Sequence, residues 1–258
     1  YFPTLAATAW YHGLVKDKPA SIEAFMNDVE RFVYAEYLPA LTKGFVIAPE
    51  EKRSVATKLA AYTGTTVDYW EKADLRVSHP QFLQELQRDQ RLIAGRIDSR
   101  FVGPALNPLA ETMDYDPFFP AIGPAYTAAF LDYLHNELKF GRDEEYRVSA
   151  FDVKWDWAHK QPGGGDWIDG APNTVPDLSR AITMNPGLHV LVQQGWYDLA
   201  TPHLVMKHDI EHLRITPEAR KRIRIEHYDA GHMMYVHGPS MQKYRDDLAR
   251  FIQETDRL

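Results

Sequence analysis

Two residues in this chain have the types and surroundings that acyl-transfer chemistry needs. Asp198 lies in GWYDLATP at 195–202, and His232 lies in DAGHMMY at 229–235. A carboxylate that accepts a hydrogen bond from one imidazole nitrogen fixes the ring's tautomer. The other nitrogen is then free to take a proton from a hydroxyl nucleophile. Each residue follows a run with strand character. Residues 188–192 are mostly apolar with β-branched members, Gly195 breaks the run, and Pro202 closes the loop that carries Asp198. At 223–228, Ile223, Ile225 and His227 alternate with Arg224, Glu226 and Tyr228, and Gly231 comes just before His232. Ligands of open parallel sheets bind at the carboxyl ends of the strands, so two such strands joined by one helix would bring Asp198 and His232 to one edge. The ordinary alternatives are a helix cap for Asp198 and a buried histidine for His232. The pairing favours the catalytic reading, because a cap needs no downstream histidine.

A second pattern competes. His208, Glu211 and His212 match the H-x-x-E-H arrangement of some zinc peptidases, with both imidazoles on one helix face. A third ligand has no good candidate, since Glu226 lies in a strand and Glu254 near the last residues, so a solvated helix face is the better reading. The glycines of QPGGGDWIDGAPNTVPD at 161–177 lack the Lys-Ser/Thr of a phosphate loop.

The elements that must position these residues fall into two styles. Residues 1–11 read as an element continuing from preceding chain. Helices are expected at 21–38 with Pro39 after its end, from Pro49 to a Gly64 cap, at 66–73, and from Pro80 to about Ile93. No convincing strand is expected in the first hundred residues. Residues 101–124 read as irregular chain ordered by its rings. Pro124 is expected to open a helix bearing Tyr126, Ala129, Phe130, Tyr133, Leu134 and Leu138, and 146–157 to include a short strand. Trp155, Trp157 and Trp167 read as packing residues. Arg96, Asp98 and Arg100 read by default as salt-bridge partners within the helical part, with a place lining the cleft as the alternative that spacing does not decide. From Asp177 the order becomes helix (177–184), strand, helix (203–213), strand and a final helix opened by Pro239, a doubly wound α/β pattern that needs further strands.

The chain of 258 residues is 45% apolar and 12% aromatic, enough for a sizeable core. Its net charge of −7 argues against a nucleic-acid partner, which needs a basic face. No apolar run approaches the ~20 residues of a membrane span. With no cysteine, there is neither a disulfide framework nor a thiolate metal site. No cofactor is expected.

On GWYDLATP and AGHMMY, with AATAWYHG at 6–13, GRIDSRFVGP at 95–104 and IGPAYTAAFLDYL at 122–134, the chain resembles the C-terminal part of a serine carboxypeptidase. It is most similar to the bacterial branch of that α/β-hydrolase family, whose triad runs nucleophile, then Asp, then His along the chain. The resemblance implies a large, mainly helical lid over residues 1–176 and the last part of the hydrolase core over 177–258. It implies Asp198 and His232 as triad members, Met233 beside the leaving-residue pocket, a peptide substrate and a secreted or periplasmic setting. The seven serines are Ser21, Ser54, Ser78, Ser99, Ser149, Ser179 and Ser240, and none lies in a Gly-x-Ser-x-Gly turn. The nucleophilic Ser is therefore expected on an N-terminal chain or segment outside this sequence. Two other functions stay open: a zinc hydrolase using His208, Glu211 and His212, and a non-catalytic binding module.

Overall fold

A computed structural model describes residues 1–16, 18–150, 152–164 and 172–256. Two compact units make up the chain. One comprises Tyr1–Phe118, Leu191–Lys207 and Ile225–Leu258; the other comprises Phe119–Val190 and His208–Arg224. Residues 1–118, expected in the lid, thus share a compact unit with Asp198 and His232.

In the first unit, α1 (Phe2–Tyr11) is buried along Phe2–Ala9, with Thr4 and Thr8 hydrogen-bonded inside it. It packs against α2 (Ile22–Phe32) and α4 (Pro49–Thr63). Ser21 caps α2, its Oγ accepting from Ala24 N, and Ile22, Phe25, Met26, Val29 and Phe32 point inward at helical spacing. The helical run does not stop at Pro39, as expected from sequence. A π turn at Val33–Tyr37 widens the ladder ahead of the proline, and α3 (Leu38–Lys43) continues beyond it. Proline lacks the N–H and crowds the carbonyl four residues back, which a wider turn accommodates. The Gly64 cap after α4 is as expected, left-handed at φ 66°, and Thr66 caps α5 (Val67–Lys72).

The helix expected up to Ile93 ends early. After α6 (His79–Glu85) comes a 3-10 turn, Arg88–Gln90, and then β1 (Leu92–Ala94), antiparallel to β2 (Val102–Pro104). Hairpin pairing with Val102–Pro104, about ten residues further on, outweighs the helical pattern here. Below β2, Asp116 accepts from Arg96 N and Ile97 N at 3.1 and 3.0 Å, which fixes the chain leading out of the hairpin.

Further along come β3 (Val190–Gly195), α9 (His203–Glu211), β4 (Ile223–Tyr228) and α11 (Gly238–Thr255), close to where the sequence places them. Val190 N donates to Arg222 O where the β3–β4 pair begins, and Trp196 N donates to Tyr228 O where it ends, so the strands are parallel. The chain mixes helix and strand as expected, but each sheet among the described residues has two strands. The main apolar cluster, which includes Phe2, Phe25, Trp70, Tyr197 and Leu199, lies in the first unit. Each such side chain stabilises by about 1.5–3 kcal/mol when fully buried.

In the second unit, α8 (Val175–Met184) buries Ile182. Arg222 ties its end down, donating to the carbonyls of Ile182, Asn185, Pro186 and Leu188. The short α10 (Pro217–Arg220), capped by Thr216, was not anticipated. The helix α7 (Phe118–Asp132) begins before Pro124, which lies inside it. Its expected apolar side, with Tyr126 and Phe130, is exposed, as are Tyr133 in the π turn beyond and Leu138 just after it. The described residues of 146–157 form no strand. Trp155 and Trp157 are not packing residues but exposed rings stacked on one another. Trp167 and part of the 161–177 loop lie outside the described residues.

Candidate functional site

Asp198 and His232 meet in the first unit. The loops that carry them leave β3 and β4 side by side, with Tyr197 N donating to Ala230 O at 3.0 Å. Tyr197 and Leu199 are buried in the apolar cluster on either side of Asp198, so this loop is pinned at its centre. The Asp198 side chain is 3% exposed. Its Oδ1 accepts from Ala200 N at 2.8 Å and Thr201 N at 2.9 Å. Its Oδ2 accepts from Thr201 Oγ1 at 2.6 Å and lies 2.9 Å from His232 Nδ1. Asp198 therefore organises its own turn and also faces the imidazole; the capping and orienting roles coexist.

This contact places the Nδ1 proton toward the carboxylate. The opposite nitrogen, Nε2, hydrogen-bonds no described residue, and the His232 side chain is 46% exposed. Met233, beside it, is half-buried. No serine hydroxyl hydrogen-bonds His232 among the described residues. Ser99 is buried, with Oγ 2.6 Å from Thr8 Oγ1 and donating to Tyr197 O, and Ser240 bonds His237. The arrangement can accept a proton from a hydroxyl at Nε2 and stabilise the resulting imidazolium through Asp198.

No family model, curated protein or solved structure matches this chain.

Sequence reasoning undervalued one segment. Residues 96–100, read as ordinary salt-bridge partners, run between the two site loops. Leu199 N donates to Arg96 O at 3.1 Å and Ser99 N to Tyr197 O at 3.0 Å on the Asp198 side. On the His232 side, His232 N donates to Ile97 O at 2.8 Å and Gly231 N to Asp98 Oδ2 at 3.0 Å. Asp98 is fully buried and paired with Arg100, and Arg100 Nη1 donates onward to Asp229 O at 2.6 Å. Burial works against the Arg100 charge, but the Asp98 carboxylate outweighs it and raises the guanidinium pKa. A hydrogen bond between residues so far apart in sequence has no periodic signature. The charged cluster in GRIDSR is the one trace it leaves.

The competing pattern on α9 is differently engaged. His208 and His212 stack with ring centroids 3.9 Å apart, and His212 Nδ1 lies 2.7 Å from His208 O. Glu211 accepts from Arg220 at 2.6 Å. Among the described residues no group of three or more His, Asp or Glu side chains could hold a metal ion.

A further titratable group lies under the Asp198 loop. Trp196 stacks on His227 at 4.0 Å and meets His203 edge-on at 5.0 Å. Burial, with the neighbouring His227 and Lys207 adding to it, lowers the pKa of His203 to about 3. Burial and the nearby lysines Lys207 and Lys243 lower that of His227 to about 4. Both rings are neutral near pH 7.

Proposed function

We propose that this chain forms part of a serine-type carboxypeptidase of the bacterial serine carboxypeptidase branch. In this reading it supplies the Asp and His of the triad, within the C-terminal portion of an α/β-hydrolase core under a helical lid. The observation that supports it best is the 2.9 Å contact of Asp198 with His232 Nδ1, with Nε2 left open. Specificity for the carboxyl end of a peptide rests on the sequence resemblance alone.

In the reaction so proposed, a serine hydroxyl from polypeptide outside this sequence attacks the scissile carbonyl. His232 Nε2 takes its proton. The C–N bond then breaks, the nitrogen leaves with that proton, and an acyl-serine remains. Water, deprotonated by the same nitrogen, releases the second product. Asp198 holds the ring and offsets its charge in both halves. Met233 is the proposed wall of the pocket for the departing residue.

The test is to treat the protein, together with whatever polypeptide accompanies it, with a fluorophosphonate probe and measure intact masses. The expected result is an adduct on a companion chain and an unmodified mass for this one. An adduct on this chain, or none anywhere, overturns the reading. In the same material His232→Ala should lower kcat on a blocked dipeptide by on the order of 10⁴-fold or more.

A further inference from the structure

We infer that Asp98, clamped by Arg100, is a positioning residue that sets His232 against Asp198. The inference deepens the reading above and rests on it only for the use to which His232 is put.

The geometry is specific. Asp98 is 0% exposed, and each carboxylate oxygen has two donors. Its Oδ1 accepts from Arg100 N at 3.1 Å and Arg100 Nε at 2.9 Å. Its Oδ2 accepts from Arg100 Nη2 at 2.6 Å and Gly231 N at 3.0 Å. With Arg100 Nη1 on Asp229 O and Ile97 O on His232 N, three of the four residues 229–232 are hydrogen-bonded to the 97–100 segment. The remaining one, Ala230, accepts from Tyr197 N on the Asp198 loop. There is no slack at the contact, because a Cβ on Gly231 would lie 2.5 Å from Asp98 Cα.

The same segment fixes the opposite loop through Leu199 N on Arg96 O and Ser99 N on Tyr197 O. Together with the direct Tyr197 N–Ala230 O bond, residues 96–100 therefore hold the backbone bearing the carboxylate against the backbone bearing the imidazole. A buried ion pair contributes little net stability compared with apolar residues of the same size. What a planar guanidinium and a carboxylate do well is fix direction, since the fork binds both oxygens at once. A hydrogen bond from His232 Nδ1 to Asp198 demands direction, and a catalytic group displaced by about 1 Å can lose on the order of 100-fold in rate.

The experiment uses the full chain with any accompanying polypeptide and ¹⁵N-labelled histidine. In the wild type the His232 ring should be predominantly protonated at Nδ1. In Asp98→Asn and in Arg100→Lys that tautomer should fall to a minority, while the ring signals of His203 and His227 stay unchanged. Restoring the pair's geometry in reverse is not expected to rescue it: Asp98→Arg with Arg100→Asp leaves Gly231 N without its acceptor. A folded Asp98→Asn and Arg100→Lys with the wild-type His232 tautomer would overturn the inference. So would loss of all three histidine signatures together in both variants, because Asp98 would then support the whole unit and not one ring. The measurement reads the ring itself, so its failure is distinct from failure of the hydrolase reading, which the His232→Ala kinetics decide.

Discussion

Asp198 binds three donors of its own turn before it binds His232, and this makes its charge hard to replace. An amide at this position must turn its NH₂ toward either the Ala200 and Thr201 amides or the Thr201 hydroxyl and His232. Under the proposed function, Asp198→Asn is expected to lower kcat on a blocked dipeptide by about 10⁴-fold. Gly231→Ala is expected to lower stability by roughly 1–3 kcal/mol, the range for forcing extra volume into a packed site. Its urea unfolding midpoint checks that, and a wild-type midpoint would refute the close approach to Asp98. Asp198 and His232 were legible in the sequence because glycines and strand-like runs mark where each sits. Asp98 was not, since its partner Gly231 is 133 residues away and its role depends on how two loops pack.

At the level of elements, local chemistry explains most starts and stops. Ser21→Ala is expected to cost about 1 kcal/mol through loss of the bond to Ala24 N. Gly64→Ala should cost more, because it combines a left-handed backbone with a Cβ 2.6 Å from Leu14 O. Thermal melts of the two variants side by side test the order, and equal melting temperatures would contradict it. Proline starts and a glycine stop made α4 and α11 readable in advance, and strand-like runs ended by glycines did the same for β3 and β4. The β1–β2 hairpin was not, because Leu92–Ala94 carries apolar residues that serve helix and strand alike, and its register comes from residues 102–104. Pro39 misled for a related reason: a π turn keeps the helix going where the proline alone argues for an end.

Across the molecule, the buried His203 and the half-buried His227 make stability depend on pH. Unfolded, His203 and His227 would take protons near 6.5; folded, they stay neutral down to about 3 and about 4. The unfolded chain therefore binds more protons in this window. Stability is fully present above about pH 6.5 and is lost as pH falls toward 4 and then 3. Each ring makes folding about tenfold less favourable per pH unit crossed. His227→Phe, which keeps a flat ring against Trp196, should flatten the slope of unfolding free energy between pH 6.5 and 4, read from urea titrations. An unchanged slope would rule this origin out. The same unit also joins distant stretches of chain: Thr4 lies against His203, 199 residues further on, and Glu30 pairs with Lys207 across 177. During synthesis α2 and α4 follow α1 closely, but His203, which meets Thr4, emerges only roughly 10–40 seconds later at ordinary elongation rates. Until then the side of α1 that meets His203 and Ser99 lacks one of its partners, although α2 and α4 already lie against the helix.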